Sequence, residues 1–350
     1  VQTDVLAAVR SLAAGQAEVV SVPQLRALGV LPAQLRTQVR RGTWRKVGLG
    51  AYAVRPAAAG TPAAVAQHVW GALLAKTVRG TAPATFVAAG RTSAALHGLA
   101  VVGGAPDRPE LIEIGGRGRH HRRAVLRPSE VVEVCGVLAV GPARSAVDVA
   151  RQLGWVAGLV TIDSALRAGI TRDELGVHLG TGSTRGSGAA WMAVHLAPER
   201  DTALESLSWG RVREHQIPAP LFRLVHDPIP EQGLRRALVW QREGVVVILH
   251  EELPIAREGA IADPLDRVTE VLRWTLSDLF PDASAAVGDL CRALGRAGWI
   301  CTEPPDRQTA ACRDPSRAVR WQIVPRRWRD HELDVEEWDG PDWDRADLGS

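Results

Sequence analysis

The 350-residue chain is short of lysine, cysteine and long apolar runs. Of its 42 cationic residues only Lys46 and Lys76 are lysines; the rest are arginines. No apolar stretch approaches the roughly 20 residues that a bilayer-spanning helix needs, so a membrane protein is not expected. The four cysteines (Cys135, Cys291, Cys301 and Cys312) make no CxxC pair and have no histidine ladder nearby. That spacing argues against a structural zinc site and against a secreted disulfide framework. Residues 1–14 carry charges on a helical period and lack an unbroken apolar core, so no signal peptide is expected there and the expected compartment is the cytoplasm. A composition of 46% hydrophobic and 23% charged residues excludes wholesale disorder.

What the chain does have is arginine, unevenly placed. Residues 1–196 carry 22 Lys+Arg against 11 Asp+Glu, whereas residues 197–350 carry 20 against 28. A polyanionic partner, if there is one, is expected to meet the first half. Arginine grips phosphates and base edges bidentately, which suits nucleic acid. A GC-rich genome also enriches Arg and Ala codons and gives the same bias without any partner.

The order of local signals at the amino end is more specific than composition. An apolar face of Val5, Leu6, Val9 and Leu12 predicts a first helix over 3–14. Ser21 followed by Gln24 is a capping-box pattern with Pro23 in the first turn, predicting a second helix that ends at Gly29. A third helix opens at Pro32 and stops at Gly42. Residues 44–54 then read as a hairpin around Gly48 and Gly50. Two short helices followed by a hairpin is the order of a winged helix-turn-helix, here over residues 1–60.

In the third helix Leu31, Leu35 and Val39 are expected to pack inward, leaving Gln34, Thr37, Gln38 and Arg41 as one outward stripe flanked by Arg36 and Arg40. Gln can bond adenine bidentately, Arg guanine, and Thr a thymine methyl or a phosphate. Arg45 and Lys46, at the base of the wing, are expected to hold phosphates, which set register while base contacts set choice. A solvated basic helix on a protein-binding domain would show similar cations; the ordered series of cap, turn, basic helix and wing favours DNA.

Further on, helices are expected over 61–78, 91–99, 142–153, 155–168 and 172–179, with strands at 111–114, 123–126 and 131–140. Between the strands lies a second basic cluster, Arg117, Arg119, His120, His121, Arg122 and Arg123, readable as a phosphate-tracking loop or as a solvated hairpin tip. No carboxylate or thiol stands at ligand spacing from its histidines, so no metal is expected there. The Gly/Ser/Thr-rich segment 181–188 reads as a linker. It divides an α/β region, 61–180, from a second domain, 189–329. That domain has a helix over 201–216, strands at 221–226, 234–240 and 245–250, and helices over 265–279 and 283–297. Residues 330–347 hold nine acids and one arginine, an expected solvated tail. No cofactor is called for. Asp148, Asp163 and His195 have no triad spacing. Trp70, Trp155 and Trp191 sit on apolar helix faces and read as core, while Trp321 and Trp328 lie among arginines and could stack on bases.

Residues 21–54 (SVPQLRALGVLPAQLRTQVRRGTWRKVGLGAYAV), with GRTSAALHGLA and GPARSAVDVARQLG further on, resemble the AbiEi-type antitoxin family of actinobacteria over about residues 15–180. The resemblance implies a winged helix followed by an α/β domain, DNA binding near the chain's own promoter, or opposition to a nucleotidyltransferase toxin. The second domain, from DTALESLSWGRVREHQIPAP, resembles the very-short-patch-repair endonucleases and implies a restriction-endonuclease-like, PD-(D/E)XK fold. The expected fold class is therefore α+β.

Glu205 falls where that second family has its helix-borne glutamate. Its strand carboxylates are replaced: Ala237 stands for the Asp, Ile248 for the Glu, and His250 where Asp is frequent. Such enzymes hold magnesium through converging carboxylates, so no catalytic residue and no metal are expected. A shifted alignment recruiting Glu251 beside Glu205 is the remaining route to a nuclease. The favoured expectation is a sequence-selective duplex-DNA-binding regulator of antitoxin type. The competing ones are a divergent DNA endonuclease and an antitoxin that binds a toxin protein directly.

Overall fold

The structure is a computed structural model, described here over residues 3–78, 85–114, 126–180, 185–227, 233–250 and 268–299. At the amino end, Ser21 accepts from the Gln24 amide while the Gln24 side chain accepts from the Ser21 amide at 2.8 Å. This reciprocal cap fixes the start of α2 (Val22–Ala27) directly after β1 (Val19–Ser21), itself preceded by α1 (Thr3–Ala14). Gly29, at φ +80°, reverses the chain into α3 (Pro32–Arg40), because a side chain there would be strained. A hairpin follows, β2 (Arg45–Gly48) and β3 (Ala51–Ala53), with a register shift between Lys46 and Gly48. β3 lies between β1 and β2, antiparallel to both.

The three helices close over Val9, Ala13, Val20, Leu25, Val30 and Trp44, with Leu35 as the contribution of α3. The three-stranded sheet places Val19, Val47, Ala51 and Ala53 against Leu74 and Trp70 of α4 (Pro62–Val78).

Next come β4 (Thr85–Ala88), α5 (Gly90–Leu96), β5 (Leu111–Ile114), β6 (Val131–Val134) and β7 (Val137–Val140), in a sheet ordered β5-β4-β7-β6. Its one parallel pair is β4 with β7. Two expectations are corrected here. β4 has no counterpart in the sequence reading, and 131–140 is a hairpin turning at Cys135 and Gly136, both at positive φ. Helices α6 (Pro142–Leu153), α7 (Trp155–Arg167) and α8 (Arg172–Val177) follow as expected.

Beyond 181–184 the chain forms α9 (Ser187–Leu196), α10 (Ala203–Glu214), β8 (Leu221–His226), β9 (Leu234–Trp240), β10 (Val245–Leu249), β11 (Glu270–Trp274), α11 (Leu276–Leu279) and α12 (Ser284–Arg296). The sheet order is β11-β10-β9-β8, with β11 parallel to β10 and the other pairs antiparallel. The helix expected over 265–279 is thus a strand and a single helical turn across its described part. Val268, Val271, Leu272, Leu276 and Leu279 recur on a helical period, but pairing along β10 overrides it, leaving Val268 and Leu276 exposed.

The expected border at 181–188 is not a break in packing. Val147, Ala150, Val156 and Leu159 share one apolar core with Ala190, Ala193, Leu207, Leu238, Val247 and Leu290. All described residues lie in one compact unit, Val1–Ala318. The class is α+β.

Candidate nucleic-acid interface

α3 buries none of its residues fully. Leu35 packs into the helical core, and Gln34, Thr37 and Gln38, which share one stripe beside it, are half-buried. Ala33, Arg36 and Arg40 are exposed, at i, i+3 and i+7, and so form the centre of the outward face. The expected inward positions of Leu31 and Val39 are corrected: they are 61% and 37% exposed. A four-residue spacing drifts by about 40° per step around a 3.6-residue helix, and with Leu35 facing the core Val39 falls at the edge of the exposed face. Leu31 is moreover the cap residue, outside the helix itself.

The half-buried polar side chains are engaged within the chain. Gln34 Oε1 accepts from the Leu31 amide at 2.9 Å, capping α3. Thr37 Oγ1 donates to the Ala33 carbonyl at 2.9 Å. Gln38 Oε1 accepts from Thr43 Oγ1 at 2.6 Å. Arg41 is exposed at the carboxyl end of the helix, with Gly42 at φ +73° ending it.

On the hairpin, Lys46 is exposed, as is Leu49 at the tip. Arg45 is not placed as expected. Its Nη2 donates to the Ala57 carbonyl at 2.9 Å and lies 3.5 Å from Gln67 Oε1 of α4, a contact that holds the hairpin base. Gln67 is itself buried and donates to the Arg55 carbonyl, a role no sequence pattern announced. The second basic cluster, Arg117 to Arg123, lies outside the described residues, as do Glu251, Trp321, Trp328 and the acidic tail.

In the second half, Ala237 and Ile248 are neighbours across β9 and β10, both fully buried among Val225, Val239 and Val246. Glu205 is buried on α10, where its Oε2 accepts from the Thr202 amide in a capping box. Its Oε1 lies 3.1 Å from Arg236 Nη1, which also reaches Asp201 at 3.0 Å. Burial opposes the charge on Arg236, but the two carboxylates outweigh it and raise the guanidinium above its ordinary value. A tethered cation thus stands beside Glu205. Sequence reasoning missed it because Arg236 is distant in the chain from α10.

At the end of the same sheet, Asp227 is buried, 2.9 Å from Arg273 Nη2 and 3.9 Å from His250 Nε2. Asp163, buried in α7, accepts from Ser206 Oγ at 2.6 Å and so ties α7 to α10. Trp155 is core, but Trp191 is 43% exposed, against expectation. Among the described residues no group of three or more His, Cys, Asp or Glu could hold a metal ion, and no helix is long and apolar enough to cross a membrane.

No protein-family model, no curated protein and no solved structure matches the chain.

Proposed function

We propose that the chain binds duplex DNA sequence-selectively through α3 and the β2–β3 hairpin, as an autoregulatory transcriptional regulator of antitoxin type. The observation that carries this reading is the exposed face of α3, where Arg36 and Arg40 stand one turn apart, together with an exposed Lys46 on the hairpin that follows. Three features support a winged helix-turn-helix. The element order is helix, strand, two helices and hairpin; β3 lies centrally in the sheet; and α3 rests on the core through Leu35 alone. Such a helix enters the major groove while flanking cations hold phosphates.

The second half is read as a restriction-endonuclease-like fold that has lost its metal site. Helix α10 followed by three antiparallel strands and a fourth strand parallel to the third supports the fold. The buried apolar pair Ala237 and Ile248, with Glu205 already neutralised by Arg236, supports the loss.

A footprint on the promoter of the chain's own gene, with salt titrated, tests the first part. Protection that weakens steeply with salt is expected, and no protection at low salt removes the reading. Incubation with duplex DNA and Mg²⁺ or Mn²⁺ tests the second. Intact DNA is expected; cleavage abolished by Glu205→Ala would overturn it.

A further inference from the structure

We infer that the DNA site is chosen by guanines, read by Arg36 and Arg40, and that the glutamines of α3 do not read bases. The inference rests on the DNA-binding reading above and adds which edge is read. A glutamine recognises adenine by offering its oxygen to N6 and its nitrogen to N7 together. Gln34 Oε1 is turned back onto the Leu31 amide and Gln38 Oε1 onto Thr43 Oγ1, both on the half-buried side of the helix. Presenting either amide to a base would break the bond that shapes one end of α3.

The outward face carries different chemistry. Arg36 and Arg40 are exposed and lie four residues apart, so they rise from one stripe about 6 Å apart along the axis. Ala33 occupies the same stripe one turn earlier. Its methyl lets the helix end approach the groove floor and fits a thymine methyl. Arginine pairs bidentately with O6 and N7 of guanine, and the planar fork makes this contact selective where a simple positive charge is not. Two such forks 6 Å apart span roughly two base steps at 3.4 Å each, so the guanines fall within one short run. Arg41, at the end of the helix, and Lys46, on the hairpin, are exposed and suit phosphates.

Selection of bound duplexes from a randomised pool by the full chain tests this, with Arg36→Ala, Arg40→Ala, Gln38→Ala and Gln34→Glu alongside. Gln34→Glu keeps the oxygen that caps α3. Gln38→Ala leaves Thr43 Oγ1 its 2.9 Å bond to the Gln38 carbonyl. The wild type is expected to enrich guanines at fixed spacing. Each arginine variant should lose preference at one of those positions, weakening the selected site about tenfold to a hundredfold. Both glutamine variants should retain the wild-type preference. Enrichment of adenine that disappears in Gln38→Ala overturns the inference and leaves the DNA-binding reading standing. So does weakening by the arginine variants that is uniform across sequences. Failure of the wild type to retain any duplex removes both.

Discussion

Gly48 of β2 and Gly71 of α4 meet backbone to backbone: a Cβ on Gly71 would lie 2.8 Å from the Val47 carbonyl oxygen, and one on Gly48 would lie 2.9 Å from that of Gly71. The hairpin that carries Lys46 is therefore seated on α4 at a distance only two glycines permit. Gly71→Ala should gain up to about 1 kcal/mol of helix propensity and lose more to the clash, for a net destabilisation of about 1–3 kcal/mol. Gly176→Ala in α8, where nothing lies within 4 Å, should stabilise instead. Urea denaturation of the two variants checks the opposite signs.

Arg236 and Glu205 are unequal partners. Arg236→Ala removes the cation bonded to buried Glu205, which keeps the Thr202 amide and the charge of Arg200, and should cost about 3 kcal/mol. Glu205→Gln keeps an oxygen for the Thr202 amide and leaves Arg236 paired with Asp201, so it should cost nearer 1 kcal/mol. The order of the two denaturation midpoints decides the matter; a larger loss from Glu205→Gln would contradict it.

The neighbouring cations Arg45 and Lys46 should separate by assay. Arg45→Ala removes the clasp on the Ala57 carbonyl and should lower stability by about 2 kcal/mol. Lys46→Ala should leave the melting curve unchanged while weakening DNA binding uniformly across sequences. It should also reduce the slope of log affinity against log salt by about 1. Anisotropy titrations at several salt concentrations, paired with thermal melts, measure both.

Burial lowers the pKa of His215 below its ordinary value, with Glu214 and Asp282 pulling it up and Arg211 pushing it further down. His178 and His195 are lowered by burial too. The unfolded chain then takes up protons that the folded chain refuses. Stability is expected to hold above about pH 6.5 and to fall as pH drops from there through the depressed folded values. His215→Gln should flatten part of that decline in denaturation midpoints between pH 7 and 5.

Much of this architecture was legible from local signals. The Ser21–Gln24 cap, Pro32 and Gly42 mark α2 and α3 because each acts within one turn of chain. What failed depended on distant partners. β11 is a strand because β10 lies beside it, and nothing within 265–279 records that neighbour. β4 is short, and its pairing with β5 and β7 is likewise non-local. On α3 the helix itself was legible, and the exposure of its side chains only in part. Leu35 is the apolar anchor of α3, so the exposed face is centred on Arg36 and Arg40, expected only as flanks; Arg41 is exposed as expected, while Gln34, Thr37 and Gln38 are half-buried. Arg236 was invisible as a counter-ion because only the folded sheet brings it under α10.

The shared apolar interior on both sides of residues 181–184 has a practical meaning. The glycine-rich segment is a seam in the covalent thread and not in the solid it ties. A protease nick there should leave two polypeptides that still co-elute, each holding the other's oily side chains away from water.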